Sequence, residues 1–291
     1  MNRPREVEVL TNLWFVHPLS RSLARLLAKT PVHPNVVSLT GLISGLLAAY
    51  FYFNYETFTN CLIGFGLMIV WHILDGTDGQ LARMTGKATM TGKIIDGIAD
   101  YSVFILVTTA ISVAIYPDYG FVVIPVYIAG AFSHIYQSAA YERQREDYMF
   151  LVYYDPAKKK VPDEAKSDGW RRNYFLRGLY TWYLGVQERM RPGEAMKSQQ
   201  YAKELGPKRW KKVQDKYREM YAPHLRYWSL VSANTHTAII FLSCAIGQPI
   251  LYLLTEIVVF NIFMAFMFHI KSKKDAVFHA WLKNLEKSKS R

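Results

Sequence analysis

Cysteine is nearly absent. Cys61 and Cys244 are the whole complement of 291 residues, and both sit in apolar stretches. They read as small core residues, not as a disulfide. The opening "MNRPREVEVL" has no apolar h-region and no small-residue cleavage site, so no signal peptide is expected. No zinc-finger, RNP or helix-turn-helix pattern accompanies the formal charge of +12, which argues against nucleic acid as a partner. Lys and Arg are missing from three loops, near 53–58, 116–120 and 246–249. Aspartate is missing from residues 228–270, and no internal repeat is evident.

What the chain does have is long apolar runs. A helix needs about 20 residues to cross the hydrocarbon core of a bilayer. Runs near that length fall at Val36–Tyr52, Asn60–Leu74, Ile94–Tyr116, Phe121–Ala140, Trp228–Gly247 and Pro249–Ile270. The expected fold is therefore all-α: a polytopic membrane protein with six transmembrane helices. All 35 cationic residues lie in the N-terminal arm, the 83–93 turn, the 143–226 segment or the C-terminal tail. That asymmetry puts both termini and the 83–93 turn on the cytoplasmic side. It also makes the positive charge an attraction to anionic headgroups.

Four regions follow. Residues 1–35 form an N-terminal cytoplasmic arm, in which Leu13, Phe15, Leu19, Leu23 and Leu27 oppose Arg21, Arg25 and Lys29. That pattern suits an amphipathic interfacial helix, ended by Pro31 and Pro34. Residues 36–140 hold the first four spans, and Gly41 and Gly45 in the first permit a close helix approach. Residues 141–227 are a basic, membrane-associated cytoplasmic insertion with two amphipathic pieces. One is the aromatic-rich "RRNYFLRGLYTWYLGVQERM"; the other is "PKRWKKVQDKYREMY", where Trp210, Val213, Tyr217, Met220 and Tyr221 keep helical spacing. "RPGEAMKSQQ" between them reads as a linker. Residues 228–291 carry the last two spans and a basic tail.

The second span runs directly into "DGTDGQLARMTGKATMTGKIIDGIAD", residues 75–100. Carboxylates at membrane depth are costly and need a partner or a task. Asp75 and Asp78 share a face at the end of one helix, and Asp96 and Asp100 share a face at the start of the next. A short turn makes those helices antiparallel neighbours, so the two pairs meet at similar depth. Converging carboxylates repel unless a cation sits between them. Oxygen-only donors suit a hard divalent ion, Mg²⁺ or Mn²⁺ or Ca²⁺, and not zinc. Gly79 and Gly92 clear the faces beside Asp78 and Asp96, and Arg83 offers a fork of donors for phosphate. Together these describe a metal-bound diphosphate at the cytoplasmic surface. The bland alternative is a set of helix-end charges paired with Arg83, Lys87 and Lys93.

The same stretch resembles the signature of the CDP-alcohol phosphotransferase (CDP-alcohol phosphatidyltransferase) family, Asp-x2-Asp-Gly-x2-Ala-Arg-x8-Gly-x3-Asp-x3-Asp. Asp75, Asp78, Gly79, Ala82, Arg83, Gly92, Asp96 and Asp100 fill every fixed position. "HPNVVSLTG" is similar to the Pro-Asn-x-x-(Ser/Thr) segment before that family's first span. The resemblance covers residues 30–140 and the six-span layout, but not the 141–227 insertion. It implies an enzyme that displaces CMP from a CDP-linked alcohol with the hydroxyl of a second alcohol. It further implies that Asp75, Asp78 and Asp96 ligate the metal, Mg²⁺ with Mn²⁺ as the alternative. Asp100 becomes a fourth ligand, the base that accepts the hydroxyl proton, or both. Gly79, Ala82, Arg83, Gly92 and Asp75 lie against the cytidine diphosphate, with Asn35 as a further contact. A homodimer is implied as well.

The acceptor leaves a fainter trace. His134, Gln137, Ser138 and Tyr141 lie near one face of the fourth span, with Arg143 and Arg145 at its cytoplasmic end. Ser229, Ser232 and His236 open the fifth span at i, i+3 and i+7. All of these suit either an acceptor pocket or helix–helix hydrogen bonds, and His72 reads as a buried hydrogen-bonding histidine. The two arginines favour a phosphorylated polar acceptor, glycerol phosphate or inositol phosphate, with CDP-diacylglycerol as donor. The opposite polarity, a CDP-linked headgroup given to diacylglycerol, stays open. An intramembrane prenyltransferase would need a second aspartate motif in the later spans. A cation transporter would not explain Arg83 and two glycines in register.

Overall fold

The computed structural model describes residues 4–153, 173–189 and 206–287. Those residues are almost wholly helical, with no strand among them. Short helical turns at Arg5–Val7 and Asn12–Val16 lead into α1 (His17–Leu27). Next come α2 (Pro34–Phe53), α3 (Phe58–Met84), α4 (Met90–Tyr119) and α5 (Val123–Tyr153). After these stand α6 (Tyr174–Arg189), α7 (Gly206–Trp228) and α8 (Ala233–Ala245). The chain closes on α9 (Ile250–Leu254), a π-helical turn at Thr255–Val259, and α10 (Phe260–Lys287). The "RPGEAMKSQQ" linker lies outside the described residues.

Local chemistry sets the boundaries. Thr57 accepts from the Asn60 N–H at the start of α3, and Thr89 from the Gly92 N–H at the start of α4. Each cap satisfies an orphan donor, a contribution of about 1 kcal/mol. At the other end of α3, Gly86 adopts φ +67° and lets the Lys87 N–H return to the Ala82 carbonyl at 2.8 Å, a left-handed stop that favours glycine. The aspartate hairpin is thus a helix stop, a five-residue turn and a capped restart.

Four helical stretches among the described residues are long and apolar enough to cross a membrane: Pro34–Phe53, Phe58–Met84, Met90–Tyr153 and Ile250–Leu285. The six-span expectation differs from this for two reasons. Two of the expected spans lie in the single stretch Met90–Tyr153, which reverses at Gly120, φ +59°, so that α4 and α5 pack on each other. The expected span Trp228–Gly247 holds a helix of just 13 residues, because Ser232 is extended and restarts the chain. At 1.5 Å per residue that helix alone is about 20 Å long, so a crossing there would also draw on the Ser229–Val231 turn before it. Apolar side chains such as Leu39, Ile43, Leu46, Ile105, Phe132 and Ile262 face outward. That exposure fits lipid as the solvent, and the chain is an integral membrane protein.

α2 packs along both α3 and α4. Gly45 is what permits the second contact, since a Cβ there would sit 2.5 Å from Val103. Trp71 of α3 and Phe104 of α4 meet edge to face, centroids 5.4 Å apart, inside a core that also holds Cys61 and Cys244 as free thiols. A second apolar cluster joins the far ends of α5, α7 and α10 through Tyr148, Leu151, Trp210, Tyr217, Phe278 and Leu282. The helical stripe of α7 is therefore covered by protein. α6 is different: Tyr174, Phe175 and Trp182 are exposed.

The N-terminal helix forms, but it docks by small residues. Ser20 and Ala24 are fully buried, while Trp14, Phe15, Leu19 and Leu26 stay exposed. Ser20 donates to the Ile73 carbonyl at 2.8 Å, and a Cβ on Gly76 would meet the Ser20 oxygen at 2.7 Å. α1 thus seats on α3 directly beside Asp75.

Candidate active site

Three of the four aspartates converge. Asp75 and Asp78 come from the last turns of α3, Asp96 from the second turn of α4, and their nearest carboxylate oxygens all lie within 4.8 Å of one another. Asp100, one turn further along α4, reaches Asp75 within hydrogen-bonding range and lies beside Asp96 and Asp78. Asp78 is the buried member, 4% exposed, whereas the other three are half-buried. A carboxylate that deep requires a donor or a cation.

Ser38 of α2 supplies one donor. Its hydroxyl donates to the second oxygen of Asp78 and bonds the Pro34 carbonyl at 3.3 Å. Ser38 was absent from the expected site, although it is the hydroxyl residue of the "PNVVS" segment. Gly76 was missed too, because packing against Ser20 has no hydropathy signature. Both set the position of the α3 carboxylates from behind.

The remaining motif residues fall around this centre. Arg83 folds back over Gly79, its guanidinium 3.5 Å from where a Cβ would stand, and reaches outward to solvent. A Cβ at Gly79 would make ordinary van der Waals contact with that guanidinium. Gly92 opens α4 and its N–H is held by Thr89 at 3.1 Å; a Cβ there would press on the Thr89 oxygen at 3.2 Å. Ala82 is half-buried, and its carbonyl takes part in the α3 stop. Asn35 is exposed at the start of α2, with its backbone N–H on His33.

The six acceptor residues separate into groups. His134 sits 3.3 Å from Glu256, and Gln137 donates to the Glu256 carbonyl at 2.9 Å and to Asn261 at 3.0 Å. Arg143 pairs with Asp147 at 2.6 Å. Arg145 pairs with Glu142 at 2.8 Å and lies 5.5 Å from the centroid of the Tyr141 ring. Ser138 touches Tyr101, the residue after Asp100, and so stands nearest to the aspartates in the chain of contacts. Of the histidines and serines elsewhere, His72 bonds Thr237 at 2.9 Å and His236 lies 2.8 Å from Glu256. Ser229 bonds the Arg226 carbonyl at 2.5 Å, and Ser232 is buried.

The donor set at the hairpin is oxygen only, from two helices and with short reach between oxygens. It fits a hard divalent cation in the manner of Mg²⁺ or Mn²⁺. Water and a phosphate-bearing ligand would complete such a shell in place of further protein ligands.

Residues 31–144 match the family model described as CDP-alcohol phosphatidyltransferase. An archaetidylinositol phosphate synthase of Pyrococcus horikoshii is 33% identical over 84 residues, 28% of this chain and 42% of that protein. The chain thus matches less than half the length of this relative. The matched segment contains α2, α3, α4, the aspartate cluster and Ser38, and it ends within α5. Over residues 31–144 this membrane protein is similar to the CDP-alcohol phosphatidyltransferase family.

Proposed function

We propose that the protein transfers the substituted phosphate of a CDP-linked lipid alcohol to the hydroxyl of a small polar alcohol, releasing CMP. The convergence of Asp75, Asp78 and Asp96 beside Asp100 carries this reading. Asp75, Asp78 and Asp96 would hold a divalent ion, Mg²⁺ or Mn²⁺. Bound there, the ion would supply charge neutralisation for the diphosphate and for departing CMP.

The chain's own residues do the rest. Ser38 commits one carboxylate oxygen of Asp78 to α2, and the carboxylate stays within reach of Asp75 and Asp96. Arg83, poised over Gly79, offers two parallel donors to two oxygens of a phosphate. Gly79, Ala82, Gly92 and Asn35 leave small or polar surface for the cytidine nucleotide. Asp100 is the residue that accepts the acceptor's hydroxyl proton, because an alcohol is a weak nucleophile until it is deprotonated. Its contact with Asp75 orients it.

A lipid donor is favoured because the relative is named for a lipid joined to inositol phosphate. Diacylglycerol is the lipid part we assign, and a polyol or its phosphate is the acceptor. Ser138, through its contact with Tyr101, marks the side of α4 and α5 from which the acceptor enters. Arg143 and Arg145 are engaged by acids, so the phosphate preference does not rest on them. The missing Lys and Arg of the 53–58, 116–120 and 246–249 loops support a cytoplasmic active site, cytoplasmic termini and six crossings. The exposed Trp14, Phe15 and Leu19 support an interfacial seat for α1. The family resemblance is what supports a homodimer as the working unit.

The test is CMP release by purified full-length protein with Mg²⁺. CDP-diacylglycerol, CDP-choline and CDP-ethanolamine are each offered with glycerol phosphate, inositol phosphate, inositol and diacylglycerol. CMP formation from CDP-diacylglycerol with a polyol acceptor supports the assignment. Turnover of CDP-choline with diacylglycerol reverses the polarity, and no CMP from any pair refutes the reaction.

A further inference from the structure

A second polar cluster lies in the interior, with none of the aspartates in it. His134 of α5, His236 of α8 and Glu256 of the π-helical turn come from three separate elements, and one donor atom from each lies within 4.8 Å of the others. All three are buried: His236 is 0% and Glu256 1% exposed. They sit among Phe104, Phe260 and Tyr252. Glu256 is the sole acidic residue of the 228–270 stretch.

The contacts are short yet poorly directed. His236 Nδ1 is 2.8 Å from one Glu256 oxygen and His134 Nδ1 is 3.3 Å from the other. By strict angle neither carboxylate oxygen has a hydrogen-bond partner, nor do His134 Nδ1 and His236 Nε2, although both imidazoles and the Tyr252 hydroxyl lie close enough to Glu256 to interact with it. A protonated imidazole bound to a carboxylate would aim its N–H along the N···O line. Here the donors lie close together without pointing at each other. That is how ligands are arranged around a common centre. Nitrogen and oxygen ligands about 2.0–2.1 Å from a metal, at tetrahedral to octahedral angles, stand roughly 2.9–3.4 Å apart, close to the separations seen. A small cavity lined by Phe104, Thr108, Gly130, His134, Tyr252 and Glu256 adjoins the cluster, giving room for a water as a further ligand.

We propose that His134, His236 and Glu256 form a second metal site, for a divalent first-row transition ion of the zinc class. Two imidazoles and one carboxylate select such an ion over Mg²⁺, which the all-oxygen hairpin suits. The ion ties α5, α8 and the π-helical turn together at the level of Tyr101, whose ring lies 6.3 Å from that of His134. It neutralises a carboxylate that is otherwise buried against two imidazoles. The site stands independently of the transferase reading.

The experiment uses full-length protein in nanodiscs, stripped with chelator and titrated with Co²⁺ in excess Mg²⁺. Bound cobalt and visible d–d absorption are measured for the wild type, the Asp78→Asn/Asp96→Asn double variant, Glu256→Gln and His236→Gln. One cobalt per chain is expected in the wild type and in the aspartate variant. Glu256→Gln and His236→Gln should bind it more weakly by at least about tenfold. A wild type that takes up no cobalt overturns the proposal, as does undiminished uptake in the two interior variants. If those variants fail to fold, X-ray absorption of the wild type's cobalt decides. Imidazole scattering supports the site, and an all-oxygen shell overturns it.

Discussion

The two polar clusters of this molecule are built in opposite ways. The hairpin gathers carboxylates from the adjoining helices α3 and α4 within 26 residues of sequence, and leaves three of the four half-buried. The interior cluster gathers two imidazoles and one carboxylate from three separate elements and buries all of them. Like charges at the hairpin raise the energy of the metal-free protein. Unlike groups in the interior offset each other's burial, and removing one strands the rest. On the proposed reading, substrate chemistry takes the cluster that keeps its charge under repulsion near water, and helix tethering takes the cluster that is sealed.

The sharpest break in that comparison is Asp78→Asn or Asp96→Asn. Either should cut CMP release by about a thousandfold or more, the equivalent of about 4 kcal/mol, with the protein still monodisperse. Near-normal turnover in either would remove the carboxylates from the reaction. Stability should move the other way. In Mg²⁺-free buffer Asp78→Asn should melt no lower than the wild type, whereas Glu256→Ala should lose about 3–5 kcal/mol. Thermal unfolding in matched detergent compares them. Equal losses would mean that the two clusters do not differ in kind.

Smaller effects test the supports. Gly45→Ala must displace Val103, and overpacking of this sort costs about 1–3 kcal/mol, read from the melting temperature. Ser38→Ala removes the hydroxyl from Asp78. It should lower kcat/KM by about tenfold, one charge-assisted hydrogen bond of roughly 1.5 kcal/mol. A rate unchanged in Ser38→Ala would show that Asp78 needs no help from α2. The smallest effect should come from Phe175→Ser, on the exposed aromatic face of α6. Neither turnover nor melting should shift, and vesicle binding of the α6 surface is where any change would register.

The hairpin was legible because its information is local. Spacing of i+3 and i+4 puts the carboxylates on facing turns, and glycines and threonines mark the stop and the restart. Ser38 was half legible, present in a recognisable segment but without its bond to Asp78. Glu256 was not legible at all. One acid in an apolar run looks like an isolated charge until helices from elsewhere deliver His134 and His236. The docking of α1 escaped for another reason. Ser20, Ala24 and Gly76 act by being small, and small residues contribute little to a hydropathy pattern. The break inside the apolar run Trp228–Gly247 escaped as well, because apolar composition does not reveal the extended residue at Ser232 that divides it.

By itself the sequence determined that this chain is helical, lives in a membrane and carries a carboxylate hairpin suited to a divalent ion. Periodicity, charge asymmetry and short-range spacing are properties of the chain read in order. Tertiary structure alone decided which helices share a core, which small residues let them approach, and that a glutamate would meet two histidines. Those outcomes depend on shape and on contacts between distant segments, where no local pattern of polarity can prescribe the partner.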